Sequence, residues 1–239
     1  SMSSSNLHPG LKHTGLTHVI ACLIIISLAG CAQATPPPEP VTIVEPEQRG
    51  ERRFLIEADA QTPLLHMAFH APRASDPRSL QLTLLMSILT GGESSRLHRL
   101  LVEEEQLALS VDSWWGAWLD PGLAYFFLTL PPGGDLEVVE RRMLEELRRI
   151  ADEGVTDAEL QKARNIVAAN IYRQLATIRG KADAVGEHEV FYGDFEALFH
   201  VPKRIENISA EQLRETAAAV FNPNNMTVGT LLAPPEDVE

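Results

Sequence analysis

The sequence has two cysteines in 239 residues, too few for a disulfide framework. Basic residues are in the minority: 20 Lys and Arg stand against 33 Asp and Glu, a net charge of −13. A nucleic-acid surface needs a basic patch, and this balance argues against one. The acidity reads as solubility, or as an acidic wall facing basic peptides. The apolar run from Val19 to Leu28 is too short to span a bilayer. No internal repeat is visible. The eight histidines include no pair spaced and filled to hold a metal on one helical face. What is present is ordinary globular composition, 44% hydrophobic and 22% charged, in a length that allows one domain or a small pair.

The Val19–Leu28 run follows Lys12 and has the length of a signal-peptide core. It ends in Leu28-Ala29-Gly30-Cys31, which resembles a bacterial lipobox. Residues 1–31 are therefore expected to be a lipoprotein signal, cleaved before a lipidated Cys31; the alternative is an ordinary secretory signal with a chance cysteine. Cys22 lies inside the removable core, so the mature chain keeps neither a disulfide nor a thiol catalyst. Ala32, not Asp, follows the cysteine, and by resemblance to proteobacterial lipoproteins this favours the outer membrane. Residues 32–50 read as a tether whose prolines fix an extended, semi-rigid course. A single domain is expected over 51–235.

Within that domain, residues 53–58 and 64–70 read as strands. Asp76-Pro77 marks a helix start, with Asp as cap and Pro in the first turn, and Gly91-Gly92 marks its end. Residues 111–118 and 123–130 read as a hairpin around Asp120-Pro121-Gly122. A helix is expected over 135–152. Thr156 with Glu159, and the serine and glutamine at Ser209 and Gln212, form two capping boxes that start further helices. Gly180 is expected to break the first of these helical runs, with a further helix over 181–192. The last strand covers 225–232. Strands in pairs, a run of helices and a returning strand argue an α+β fold.

The chain is organised around residues 91–111, GGESSRLHRLLVEEEQLALSV. Ser94 or Ser95 can cap a short helix there, which leaves at Gln106 into a strand LALSV. Ser94, Ser95, Arg96, Leu97, Leu101, Glu103, Leu107, Ala108, Ser110 and Val111 stand in an order that resembles the second, non-catalytic domain of the pitrilysin/insulinase metallopeptidases, the family of the mitochondrial processing peptidase. The resemblance runs from about residue 40 to about residue 232. It implies a largely antiparallel sheet with helices packed on one face.

In that family the catalytic half carries His-x-x-Glu-His, whose histidines bind zinc and whose glutamate is the general base. The motif is absent here. His66 and His70 share a strand face but lie about 13 Å apart, too far for one metal. Glu187-His188-Glu189 sits on a helix where adjacent side chains diverge. No cofactor, metal ligand or catalytic residue is assigned. The resemblance also implies an arginine and a tyrosine, seven residues apart, that polarise the scissile carbonyl. Those positions fall on Val102 and Leu109, which donate no hydrogen bond, and the family's lysine falls on Glu104.

Trp114 and Trp118 share a strand face and Trp115 points away. Either one pair packs under the helices with the odd ring at a turn, or the cluster is an aromatic docking surface. Val102, Leu109, Trp114, Trp115 and Trp118 are the candidate interaction surface. Three functions stay open. The first is a non-catalytic partner of a separate zinc-binding peptidase subunit, forming one wall of a peptide-enclosing chamber. The second is a stand-alone envelope lipoprotein that binds peptide or protein. The third is an enzyme of a new kind.

Overall fold

Alternation along the strands sets one sheet. The computed structural model describes residues 45–232; Cys31, the expected signal over residues 1–31 and the expected tether up to residue 44 lie outside the described residues. The compact body begins at Glu47. Residues 47–50, grouped with the tether by composition, are held to it by the Gln48 side chain, which donates to the Met226 carbonyl at 2.7 Å.

β1 (Arg52–Glu57) is exposed along its whole length. β2 (Leu64–Ala71) turns Leu65, Met67, Phe69 and Ala71 into the core. α1 (Arg78–Thr90) follows. The Asp76 carboxylate accepts from the Arg78 N–H at 2.8 Å, while Pro77 is the residue just outside the helix. α2 (Arg96–His98) is a single turn that widens into a π-helix over Arg99–Glu104. β3 (Ser110–Trp115) and β4 (Gly122–Thr129) form the hairpin. β3 is shorter than expected at both ends: it starts at Ser110 rather than Leu107, and Trp118 lies in the connecting loop.

α3 (Leu136–Glu153) is capped by Asp135, whose carboxylate accepts from the N–H groups of Glu137 and Val138. α4 (Asp157–Leu175) carries the expected capping box. α5 (Ile178–Tyr192) starts before Gly180 rather than at it, because the Thr177 hydroxyl accepts from the Gly180 N–H at 3.0 Å and closes the first turn. α6 (Ala197–Glu206) was not expected; Pro202 lies inside it. α7 (Ala210–Val220) has the second capping box, Ser209 with Gln212, and β5 (Met226–Leu232) returns to the sheet.

The strand order is β1-β5-β2-β4-β3. β1 and β5 run parallel and the other three pairings are antiparallel. The fold is α+β. α1, α3 and α7 cover one face over a core of Leu65, Met67, Phe69, Phe126, Leu128 and Val228. Registers define the other face as three rows of five. The central row runs Phe54, Gly229, His66, Phe127, Asp112. Phe54 lies flat over Gly229, where an added Cβ would meet the ring at 2.3 Å. Among the described residues no helix is long and apolar enough to cross a membrane.

Candidate functional site

The central stretch is fixed by one side chain. Arg96 is 14% exposed and reaches three acceptors. Its Nε and Nη2 donate to the two oxygens of Glu159 at 2.6 and 2.7 Å. Nη1 donates to Glu146 at 3.2 Å and Nη2 also to the Gly154 carbonyl at 3.3 Å. A planar guanidinium suits this fork of acceptors, which a lysine could not match. The stretch is thereby tied to α3 and to the start of α4. The Arg96 guanidinium, with the backbone and hydroxyl of Thr156, holds the Glu159 carboxyl down at about 2, against the opposing effect of burial.

The expected serine cap is not made by a hydroxyl. Ser95 is the N-cap by backbone, but its side chain makes no cap hydrogen bond and its buried oxygen has no protein partner. Ser94 instead accepts from Lys162 Nζ at 2.5 Å. The π-turn closes with the Glu105 N–H on the Leu100 carbonyl at 3.0 Å. Gln106 then takes φ 52°, and it is the one non-glycine with positive φ among the described residues. Its turn lets the N–H groups of Leu107 and Ala108 both reach the Leu101 carbonyl, at 2.8 and 3.0 Å. The Leu109 N–H already bonds Thr129 at 2.7 Å before β3 proper begins.

The structure separates the candidate interaction residues. Val102 is half-buried and packs against the core. Leu109 is 56% exposed. Trp115 turns toward the helices and donates from Nε1 to the Thr83 hydroxyl at 3.2 Å. Trp114 and Trp118 stay on the other side, about half exposed, with ring centroids 6.2 Å apart. Trp118 also meets Phe191 of α5 at 5.8 Å.

Trp114 belongs to a longer aromatic array on the uncovered sheet face. Its ring lies 5.7 Å from Tyr125, Tyr125 stacks on Phe127 at 5.9 Å, and Phe127 meets His66 edge-on at 4.8 Å. Partial burial there moves His66 toward its neutral form. Phe54, Tyr125 and Phe127 escaped the sequence reading. The available signal was β4 itself, GLAYFFLT, which is apolar on both alternating faces. Such a strand reads as covered on both sides. Among the described residues, helices cover only one.

His66 and His70 both lie on β2, as expected. Among the described residues no three His, Cys, Asp or Glu side chains are grouped to hold a metal ion.

The family model for the peptidase M16 inactive domain matches residues 19–167. An uncharacterized zinc protease of Mycobacterium leprae is 27% identical over 173 residues, which cover 72% of this chain and 39% of that protein. The solved inactive peptidase domain of a proposed zinc protease from Bordetella parapertussis is 27% identical, with a TM-score of 0.67 over 77% of this chain and 97% of that one. A protease from Helicobacter pylori shares the fold at a TM-score of 0.73 and 21% identity, over 79% of this chain and 46% of that one. The chain spans less than half the length of the curated relatives it matches, between 34 and 44%.

Proposed function

Because the chain belongs to the peptidase M16 family, through its inactive domain, we propose that it is the non-catalytic partner of a separate zinc-binding peptidase subunit, acting in peptide degradation or processing at the cell envelope. One observation carries this reading: the scaffold of the central stretch is kept while its chemistry is gone. Arg96 still clamps the stretch to α3 and α4. The two positions that the family resemblance assigns to carbonyl polarisation hold Val102 and Leu109, and neither can donate a hydrogen bond to a developing oxyanion. A fold preserved without its donors suits a wall and a docking body, not a hydrolytic centre.

The zinc and its general base belong, on this reading, to the partner. The zinc protease names of the relatives support it, since a body of this kind there occupies only part of a longer chain. Lipidation of Cys31 would place the assembly at the periplasmic face of a membrane, with the outer membrane favoured.

Affinity purification of the full chain from the cells that produce it tests the proposal. The expected result is a stoichiometric companion whose sequence carries His-x-x-Glu-His, and peptide cleavage that needs both proteins. Recovery of the chain with no such companion would support the second reading, a stand-alone lipoprotein that binds peptide or protein by itself.

A further inference from the structure

One part of this acidic chain has no acids. Residues 160–182 hold five cations, Lys162, Arg164, Arg173, Arg179 and Lys181, and no Asp or Glu, in a sequence with 33 acidic residues. The first two serve the body: Lys162 donates to Ser94 and Arg164 to the Ile208 carbonyl. The other three stand at the turn from α4 into α5. From Ala168 to Asp183 no residue is buried. Ile171 reaches the core, half-buried. The eight residues of α4 after Val167 carry the turn about 12 Å past the last buried side chain of that helix. The tip bears Ile178, 90% exposed, and Tyr172, 62% exposed. Among the described residues, Arg179 alone of the three cations meets a carboxylate, Asp183 at 3.5 Å, and that pair is solvated. Arg173 bonds only to its own helix, at the Ala169 carbonyl and Asn170.

The strand registers locate this tip. β2 and β3 end, and β1, β4 and β5 begin, at one end of the sheet. α4 starts beside the central stretch, through Glu159 to Arg96 and Lys162 to Ser94. It runs toward that end, where Asn170 and Gln174 line a groove with Trp114, Trp115 and Ala117. The chain enters the body at the same end. There Gln48 donates to the Met226 carbonyl at 2.7 Å, and its amide oxygen lies 3.2 Å from His70 Nε2. The proposed anchor, Cys31, precedes that entry point in the chain. A body held through Cys31 would be held from the end that carries the tip. Elsewhere at that end the signs are mixed, Arg73 and Arg78 with Glu47 and Asp76.

We propose that the turn between α4 and α5 is a membrane contact, a convex tip that docks on a phospholipid surface containing anionic lipid. Arg173, Arg179 and Lys181 meet lipid phosphates, while Ile178 and the Tyr172 ring enter the headgroup layer. Cations around exposed apolar side chains are the pattern of an interfacial segment. A protein partner would have to offer an acidic hollow to a projecting tip, whereas a bilayer takes it as it stands. The contact is weak and salt-sensitive, since three cations and two side chains do not anchor a protein alone. It orients a body that a lipid already holds, so loss of the lipid still releases the chain. The inference uses the position of the proposed anchor and not the peptidase partnership.

The test is vesicle binding by the purified full chain carrying Cys31→Ser, so that no lipid of its own contributes. At low salt it should bind vesicles containing phosphatidylglycerol more tightly than vesicles of phosphatidylcholine alone. Arg179→Gln with Lys181→Gln should lower affinity for the anionic vesicles roughly twentyfold, about fivefold per cation. Ile178→Ser should lower it about tenfold. Both variants should keep the melting temperature, because these side chains are exposed. Equal binding to the two kinds of vesicle, or equal binding by the chain and its charge variant, would overturn the proposal. In cells, a photoreactive residue in place of Ile178 should crosslink to phospholipid. Crosslinks to a protein instead would assign the tip to a protein partner and overturn the membrane contact. The anchor is read separately, by fractionation of the Cys31→Ser variant, so either reading can fail without the other.

Discussion

Arg96 and Glu159 meet in a paired hydrogen bond, Nε to Oε1 at 2.6 Å and Nη2 to Oε2 at 2.7 Å. The same carboxylate closes the capping box of α4, accepting from the Thr156 N–H at 2.9 Å. One side chain thus starts a helix and anchors the stretch on which the domain is organised. Arg96 extends the link to Glu146, whose side chain is only 4% exposed.

Removal of the guanidinium should therefore be costly. Arg96→Ala leaves Glu146 with Arg149 alone and Glu159 without its fork, and should lower unfolding free energy by about 3 kcal/mol. Arg96→Lys should recover less than half of that, because an ammonium cannot serve three acceptors in one plane. Urea unfolding of the three proteins decides it; a loss below about 1 kcal/mol for the alanine variant would put the pair among superficial surface bridges.

The same bridge predicts a pH dependence. In the folded protein the Glu159 carboxyl is held down at about 2, below the roughly 4.3 of an unfolded chain. Its stabilisation is present above the unfolded value and is lost as pH falls through that value toward 2. Wild type should lose more stability between about pH 5 and pH 2.5 than Glu159→Gln, which has no proton to take up there. Parallel acid-induced slopes for the two proteins would show that this carboxylate carries no such linkage.

Gln106 sits in the left-handed region at φ 52° with its side chain exposed. A Cβ there costs about 1 kcal/mol or more, and glycine removes that cost at a smaller entropic penalty. Gln106→Gly should raise stability by about 0.5 kcal/mol, and Gln106→Val, with its branched Cβ, should lower it by more than about 1 kcal/mol. Thermal melting of both variants checks the sign. Destabilisation by glycine would mean that the Gln106 side chain holds the turn.

Much of the fold could be read from local chemistry. Both capping boxes formed as their spacing demands, because cap and N3 residue are close in sequence. The late start of β3 could not be read, since it depends on the π-turn and on Gln106 adopting a backbone conformation that its residue type does not announce. α6 was hidden by Pro202, a residue that ordinarily argues against a helix interior. The tryptophans were placed by a periodicity that stops at Trp115; Trp114 and Trp118 do meet, but across a strand and a loop. The open face was written in β4, yet which of its two apolar sides stays uncovered depends on how distant helices pack.

The proposed lipid anchor has its own test. Cys31→Ser should release the protein into the soluble periplasmic fraction or leave an unprocessed precursor, because lipid chains hold it at roughly 0.8 kcal/mol per buried CH₂. A processed variant that still fractionates with membranes would remove Cys31 as the anchor.

The separation of fold from chemistry is tested most directly by counting zinc in the purified chain. The account predicts no stoichiometric zinc after dialysis, and none taken up when zinc is offered and the excess removed. One zinc per chain, retained through dialysis, would contradict it and return the metal centre to this protein.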